Sequence, residues 1–236
     1  MNRSILVVFA HPDDESFGLA GTVAKYTKKG VPVDLITATK GEKGTRLGVP
    51  EGVPTGVARE AELRASGKIM GLRNISFLGY IDGELDKADS TEVAKKIKEI
   101  IERVHPEVLI TFGPDGITGH PDHIAAGKAA TSAFNELAAA GRGPRKLYYV
   151  TLPAGAFPPG EDEGLFTRPD SEVTTEIDIT DYLKLKIRAV SAHRSQGDVA
   201  DFVEMLQQGG ALPFTKREYL YLASGHVSHK ETDLFE

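Results

Sequence analysis

Five short apolar runs, over residues 5–10, 31–39, 75–80, 107–112 and 146–152, alternate with helix-period stretches along the first two thirds of the 236-residue chain. The first, Ile5-Leu6-Val7-Val8-Phe9-Ala10, has no polar residue at all, so a strand made from it must be buried on both faces, as in a parallel sheet covered by helices. Between the runs, Phe17, Ala20, Ala24 and Thr27 share one helical stripe, and Arg59, Leu63 and Ile69 follow Thr55, a candidate cap. Val93, Ile97, Ile100, Ile101 and Val104 form the clearest apolar face, after Ser90 and before Pro106; a further helix is expected over 122–139. The alternation predicts an α/β fold: a single-domain, Rossmann-like, doubly wound sheet over 1–236, mostly parallel, with helices on both faces.

Residues 40–56 hold five glycines and two prolines and read as a mobile loop above the sheet; 153–170 reads as a long surface loop. An edge strand is expected over 173–179, a helix through Leu183, Ile187 and Val190, a helix near 199–208 and a last strand over 218–223. The polar tail from His226 is expected to fray.

Composition narrows the function. Hydrophobic content of 40% and charge of 26% are those of a soluble globular protein, and a net charge of −6 argues against a nucleic-acid partner. No stretch reaches the length of a membrane span and no secretory signal is read, so the expected address is the cytoplasm. With no cysteine, any metal must be held by histidine and carboxylate.

Two motifs supply those groups. His11-Pro12-Asp13-Asp14-Glu15 ends the first run, and Gly119-His120-Pro121-Asp122-His123 lies in a glycine-rich loop after the fourth. Charges this dense at the end of a buried strand need partners or a metal. In an open α/β sheet ligands gather beyond the carboxyl ends of the strands, where two distant loops can meet. His11 and Asp14 flank a tight turn and His123 can add a third ligand. Two imidazoles and one carboxylate leave a position for water, the pattern of catalytic zinc, whose bound water has a pKa of about 7. Asp13 is then the general base, His120 an acid or an oxyanion stabiliser, and Asp122 either the group that fixes the His120 tautomer or a helix cap.

These motifs together resemble the LmbE/PIG-L family of zinc-dependent de-N-acetylases, which remove acetyl from N-acetylglucosaminyl groups in glycolipid, mycothiol, bacillithiol and chitooligosaccharide pathways. The resemblance extends through Thr39-Lys40-Gly41-Glu42, Arg59-Glu60-Ala61-Glu62-Leu63, Gly113-Pro114-Asp115-Gly116 and His193-Arg194-Ser195-Gln196. It implies that His11, Asp14 and His123 hold Zn2+, with Fe2+ or another divalent ion as an alternative. It also implies that Asp13 activates water, and that His120 with Asp122 steadies the tetrahedral intermediate and protonates the leaving amine. Arg59, with Glu42 and Asp115, is implied in binding the amino-sugar substrate. Some members carry a tyrosine where this chain has Thr118. Similar enzymes often assemble, so a homo-oligomer is compatible with the resemblance.

Other readings are weaker. Arg59 has a bland alternative, pairing with Glu60 or Glu62 on a solvated helix face. His193 reads as a helix-end residue without direct chemistry, and His105, His226 and His229 as surface or tail histidines. A nucleotide-binding module would want G-x-G-x-x-G after the first strand, which is absent. A non-haem Fe(II) oxygenase shares the ligand set but ordinarily an all-β scaffold. Within the hydrolase reading, a thiol-sugar conjugate is an alternative substrate.

Overall fold

A computed structural model describes residues 3–156, 163–208, 215–226 and 229–236. The central strand β1 is Ile5–Phe9, and all five of its side chains are buried. At about 1.5–3 kcal/mol for each large apolar side chain withdrawn from water, this is among the best-anchored elements of the chain. On one side of it lie β2 (Val33–Thr37) and β3 (Asn74–Phe77); on the other lie β4 (Val108–Phe112) and β5 (Lys146–Thr151). These five strands are parallel. The sheet is completed by β6 (Thr175–Asp178) and β7 (Arg217–Ser224) in the order β3-β2-β1-β4-β5-β7-β6, with β7 antiparallel to both its neighbours.

Helices α1 (Asp14–Lys28) and α2 (Thr55–Met70) follow β1 and β2; α3 (Ser90–Val104) and α4 (Pro121–Ala139) follow β3 and β4. Because the sheet grows from β1 towards β3 and then from β4 towards β5, right-handed crossovers place α1 and α2 on one face and α3 and α4 on the other. The reversal falls between β1 and β4, paired through Ile5 with Val108 and Val7 with Ile110. The crevice beyond their carboxyl ends is where such folds bind ligands, and both histidine motifs start there. Gly127 brings α4 against β4 so closely that a Cβ there would stand 2.5 Å from the Phe112 carbonyl oxygen. That approach sets the height of His123 above the sheet.

Helices α5 (Leu183–Val190) and α6 (Val199–Gln208) lie where the periodicity predicts, and β6 is an edge strand as expected. Several local expectations are corrected. Thr55 is not a cap: Pro54 precedes the helix, and Thr55 Oγ1 instead accepts from Arg46 Nη1 at 2.6 Å. Ser90 opens α3 as expected, and Asp89 before it caps the helix by accepting from the Thr91 amide. The 40–56 loop is tied down: Thr45 Oγ1 and the Leu47 amide both donate to the Ser195 carbonyl, at 2.7 and 3.0 Å. Within the 153–170 loop, Arg168 and Phe166 amides bond the Leu152 and Ile117 carbonyls; residues 157–162 lie outside the described ones.

The tail does not fray over 229–236. Leu234 is fully buried and its amide donates to the Tyr26 hydroxyl at 2.7 Å. Glu231, also buried, accepts from Lys146 Nζ at 2.5 Å, Tyr148 OH at 2.7 Å and Thr175 Oγ1 at 2.8 Å. The tail's polarity reflects partners inside the protein that sequence proximity does not reveal.

Candidate metal centre and active site

At the end of β1 the chain turns sharply. Asp14 Oδ2 accepts the amides of Ala10 and His11, at 3.1 and 2.8 Å, which folds the second carboxylate back over the first histidine. His123 arrives from the first turn of α4, its ring stacked flat on Phe112 with centroids 4.2 Å apart. Three donor atoms then converge: His11 Nδ1 lies 3.2 Å from His123 Nε2, which lies 3.2 Å from Asp14 Oδ1, and Asp14 Oδ2 is 3.9 Å from His11 Nδ1. Ligands on a tetrahedral zinc at ordinary bond lengths stand about 3.3 Å apart, so this donor set fits one shared ion.

The remaining ring nitrogens support that fit. His123 Nδ1 faces the Gly116 carbonyl at 3.0 Å and must carry the proton there. His11 Nε2 lies 3.1 Å from Asp82 Oδ1 and 3.2 Å from Asp122 Oδ2, which likewise makes it a donor. The two nitrogens that face each other are therefore lone pairs in the neutral rings, an arrangement a cation resolves. Burial works against charge on His11, yet the Asp122 and Asp82 carboxylates push its pKa up to about 10, in keeping with a pocket built for positive charge. Against the same burial, the His123 and His11 rings hold Asp14 well below the usual carboxylate range.

Asp13 stands beside this cluster. Burial pushes its pKa up to about 7, Arg59 pulls it down, and the neighbouring charges of Asp14 and Glu15 raise it. Arg59 is itself buried; Nη2 reaches Asp13 Oδ2 at 2.8 Å and the Pro12 carbonyl at 2.5 Å, and Nη1 the Gly41 carbonyl at 3.1 Å. A Cβ on Gly41 would collide with that guanidinium. The pairing of Arg59 with Glu60 or Glu62 is not formed: Glu60 takes Arg64 and Lys40, and Glu62 takes Ser195.

Asp122 departs from expectation. Neither of the roles read for it holds as stated, because its carboxylate does not reach the His120 ring and it is not the helix cap. Its oxygens accept from the Gly83 and Leu85 amides, at 2.6 and 3.0 Å, and from His11. His120 is the cap, its Nδ1 accepting the Asp122 amide at 3.1 Å. That bond still settles the tautomer: the proton of a neutral ring sits on Nε2. Burial, with the nearby His11 and His123, lowers the His120 pKa.

His11, Asp13, Asp14, Arg59, His120 and His123 all line one cavity of about 800 Å³. Glu42 and Asp115 do not line it. Glu42 Oε2 accepts the Asp82 amide at 3.1 Å, and Asp115 Oδ1 accepts the Ile117 amide at 2.8 Å, so each fastens a loop at the rim. Asp82 was not singled out by the sequence; its position just after the third parallel strand was the available signal. Phe17, Leu152, Leu165, Phe202 and Met205 add apolar lining to the same cavity.

Residues 6–134 match the family described as PIG-L: GlcNAc-PI de-N-acetylase. The chain is 33% identical over 269 residues to 1D-myo-inositol 2-acetamido-2-deoxy-alpha-D-glucopyranoside deacetylase of Saccharomonospora viridis, with 98% of this chain and 99% of that protein covered. Its fold is similar to that of N,N'-diacetylchitobiose deacetylase from Pyrococcus horikoshii (TM-score 0.71, 23% identity, 99% of this chain and 88% of that chain covered). It is equally similar in fold to GalB, a 4-carboxy-2-hydroxymuconate hydratase of Pseudomonas putida (TM-score 0.74, 21% identity, 96% and 98% covered), so architecture alone does not choose the chemistry. The matched span, the full-length relatives and the two histidine motifs at the sheet's reversal agree: this chain is a member of the PIG-L family of deacetylases.

Proposed function

We propose that the chain hydrolyses the acetamide of an N-acetylglucosamine-type conjugate, releasing acetate and the free amino sugar. The observation that carries this reading is the convergence of His11 Nδ1, His123 Nε2 and the Asp14 carboxylate within 3.2–3.9 Å, with the Asp13 carboxylate beside them. These three residues would hold zinc; the same donor set accepts Fe2+. A bound divalent cation supplies Lewis acidity, bringing a ligated water towards a pKa of about 7 and polarising the amide carbonyl.

The protein's own residues do the rest. Asp13 takes the proton from water as its oxygen bonds to the acetyl carbon, and Arg59 keeps that carboxylate ionised and aimed. His120, with its proton on Nε2, donates a hydrogen bond to the developing oxyanion, and the proton taken up by Asp13 passes to the amine nitrogen as the carbon–nitrogen bond breaks. Asp122 and Asp82 hold the His11 ring so that its Nδ1 faces His123 Nε2 and would be free to bind a cation there. Arg59, Lys43 and Thr118 line the cavity near the histidines, where sugar hydroxyls would lie; Glu42 and Asp115 act at one remove, through the loops they fasten.

The test is amine release from 1D-myo-inositol 2-acetamido-2-deoxy-alpha-D-glucopyranoside and from N,N'-diacetylchitobiose, before and after chelation and with zinc or iron restored. Metal-replete protein that releases no amine from any N-acetylated sugar would refute the proposal.

A further inference from the structure

Asp13 occupies a backbone conformation that residues with a Cβ avoid, at φ 110° and ψ −30°. Such a conformation persists only where the surroundings over-determine it. The Asp13 carbonyl accepts the Ser16 and Phe17 amides, at 2.7 and 3.0 Å, and Arg59 takes the carboxylate. The third handle is the Asp13 amide, which donates to Glu15 Oε2 at 3.0 Å.

Glu15 is only 1% exposed, and its second oxygen collects three donors: Ser16 Oγ at 2.6 Å, His193 Nε2 at 3.0 Å and Ser66 Oγ at 3.3 Å. His193 is fully buried, and its Nδ1 has no partner among the described residues. The polar contacts of this ring are on its Nε2 side, with Glu15 and Ser16. Glu62 pins the segment behind it, accepting the Ser195 amide at 3.0 Å and hydroxyl at 2.7 Å. The helix that carries Glu62 also carries Arg59 and Ser66, so one element serves both sides of Asp13.

If this cluster served stability alone, an apolar filling of the same volume would do as well, because a buried pair gains little net free energy over packed hydrophobic groups. It converges instead on the amide of a single strained residue. We propose that Glu15 and His193 are positioning residues for the hydrolysis: with one carboxylate oxygen held by His193, the other anchors the Asp13 amide and so aims the Asp13 carboxylate. This rests on Asp13 being the base, as proposed above.

The test compares His193→Leu, His193→Gln, Glu15→Gln and Ser66→Ala, each assayed for bound metal, kcat and KM on the N-acetylglucosaminyl inositol. His193→Leu and Glu15→Gln are expected to keep full metal content and a KM within about twofold, while kcat falls at least about tenfold. His193→Gln, whose amide can donate as Nε2–H does, is expected to recover to within about threefold of the wild type. Ser66→Ala removes one donor with little change of volume and decides the matter if His193→Leu does not fold; a kcat lowered about threefold at unchanged KM is expected. Wild-type kcat in these variants, a fall only in proportion to lost metal, or no recovery in His193→Gln would overturn the inference. Asp13→Asn is the control. Full turnover there would sink the base assignment itself, whereas an inactive Asp13→Asn beside an unimpaired His193→Leu would sink only the positioning role.

Discussion

His11 Nδ1 and His123 Nε2 face each other at 3.2 Å across 112 residues of sequence. Each ring has its other nitrogen committed as a donor, His11 to the Asp122 and Asp82 carboxylates and His123 to the Gly116 carbonyl. Two neutral imidazoles in that state present lone pairs to one another, and the Asp14 carboxylate adds a third. The arrangement is a cradle for a cation.

His123→Ala and His11→Ala are therefore expected to purify without stoichiometric metal, and chelation of the wild type to abolish amine release until a divalent ion is restored. Elemental analysis beside the amine assay checks both. Asp122→Asn, which loosens the His11 ring without removing a ligand, should weaken metal affinity by about 10–100-fold.

Asp13→Ala separates chemistry from binding. It is expected to keep its metal and lose a factor of about 10² to 10⁴ in kcat, the usual worth of a positioned base. Metal titration and steady-state kinetics on one preparation decide it, and undiminished turnover counts against the mechanism.

The pH dependence follows from Arg59. Its guanidinium is the nearest positive charge opposing the upward push of burial on Asp13. A base must be ionised to act, so activity is lost as pH falls through the Asp13 pKa. Arg59→Met removes the opposing charge, and the acid limb of the kcat/KM profile should move to higher pH, by on the order of one unit or about 1.4 kcal/mol. A profile that stays in place, or moves to lower pH, contradicts the pairing.

Stability should be sensitive at Glu231, far along the chain from the histidine motifs. Glu231→Ala leaves Lys146 Nζ, Tyr148 OH and Thr175 Oγ1 without their shared acceptor. Breaking a buried pair of this kind costs about 3–5 kcal/mol. At about 2–4 °C per kcal/mol for a chain of this size, thermal unfolding should start clearly earlier, while kcat at 25 °C is unchanged.

The parallel strands were legible because strands buried on both faces are written as unbroken apolar runs, and the helices between them by their period. The order of the last two strands was not, since β7 reaches its place between β5 and β6 through pairings such as Tyr149 with Tyr221 that no local pattern encodes. The site divides in the same way. His11, Asp13, Asp14, His120 and His123 cluster in two short motifs, so their types and spacing announce a metal and a base. The Asp122 carboxylate turning to His11 rather than His120, and Glu42 accepting the Asp82 amide, depend on groups that only the folded chain brings near, whereas the Asp115 bond to the Ile117 amide is local.

What the sequence by itself determined was the material and the layers: strand, helix, and two carboxylate–imidazole motifs at strand ends. What only the tertiary structure decided was which atom faces which, with Asp82 behind His11, Arg59 beside Asp13, and Glu15 joined to His193 across 178 residues. The reason is one of range. Periodicity and burial act over a few neighbouring residues, whereas the direction of a hydrogen bond between distant segments is set by how the helices close over the sheet.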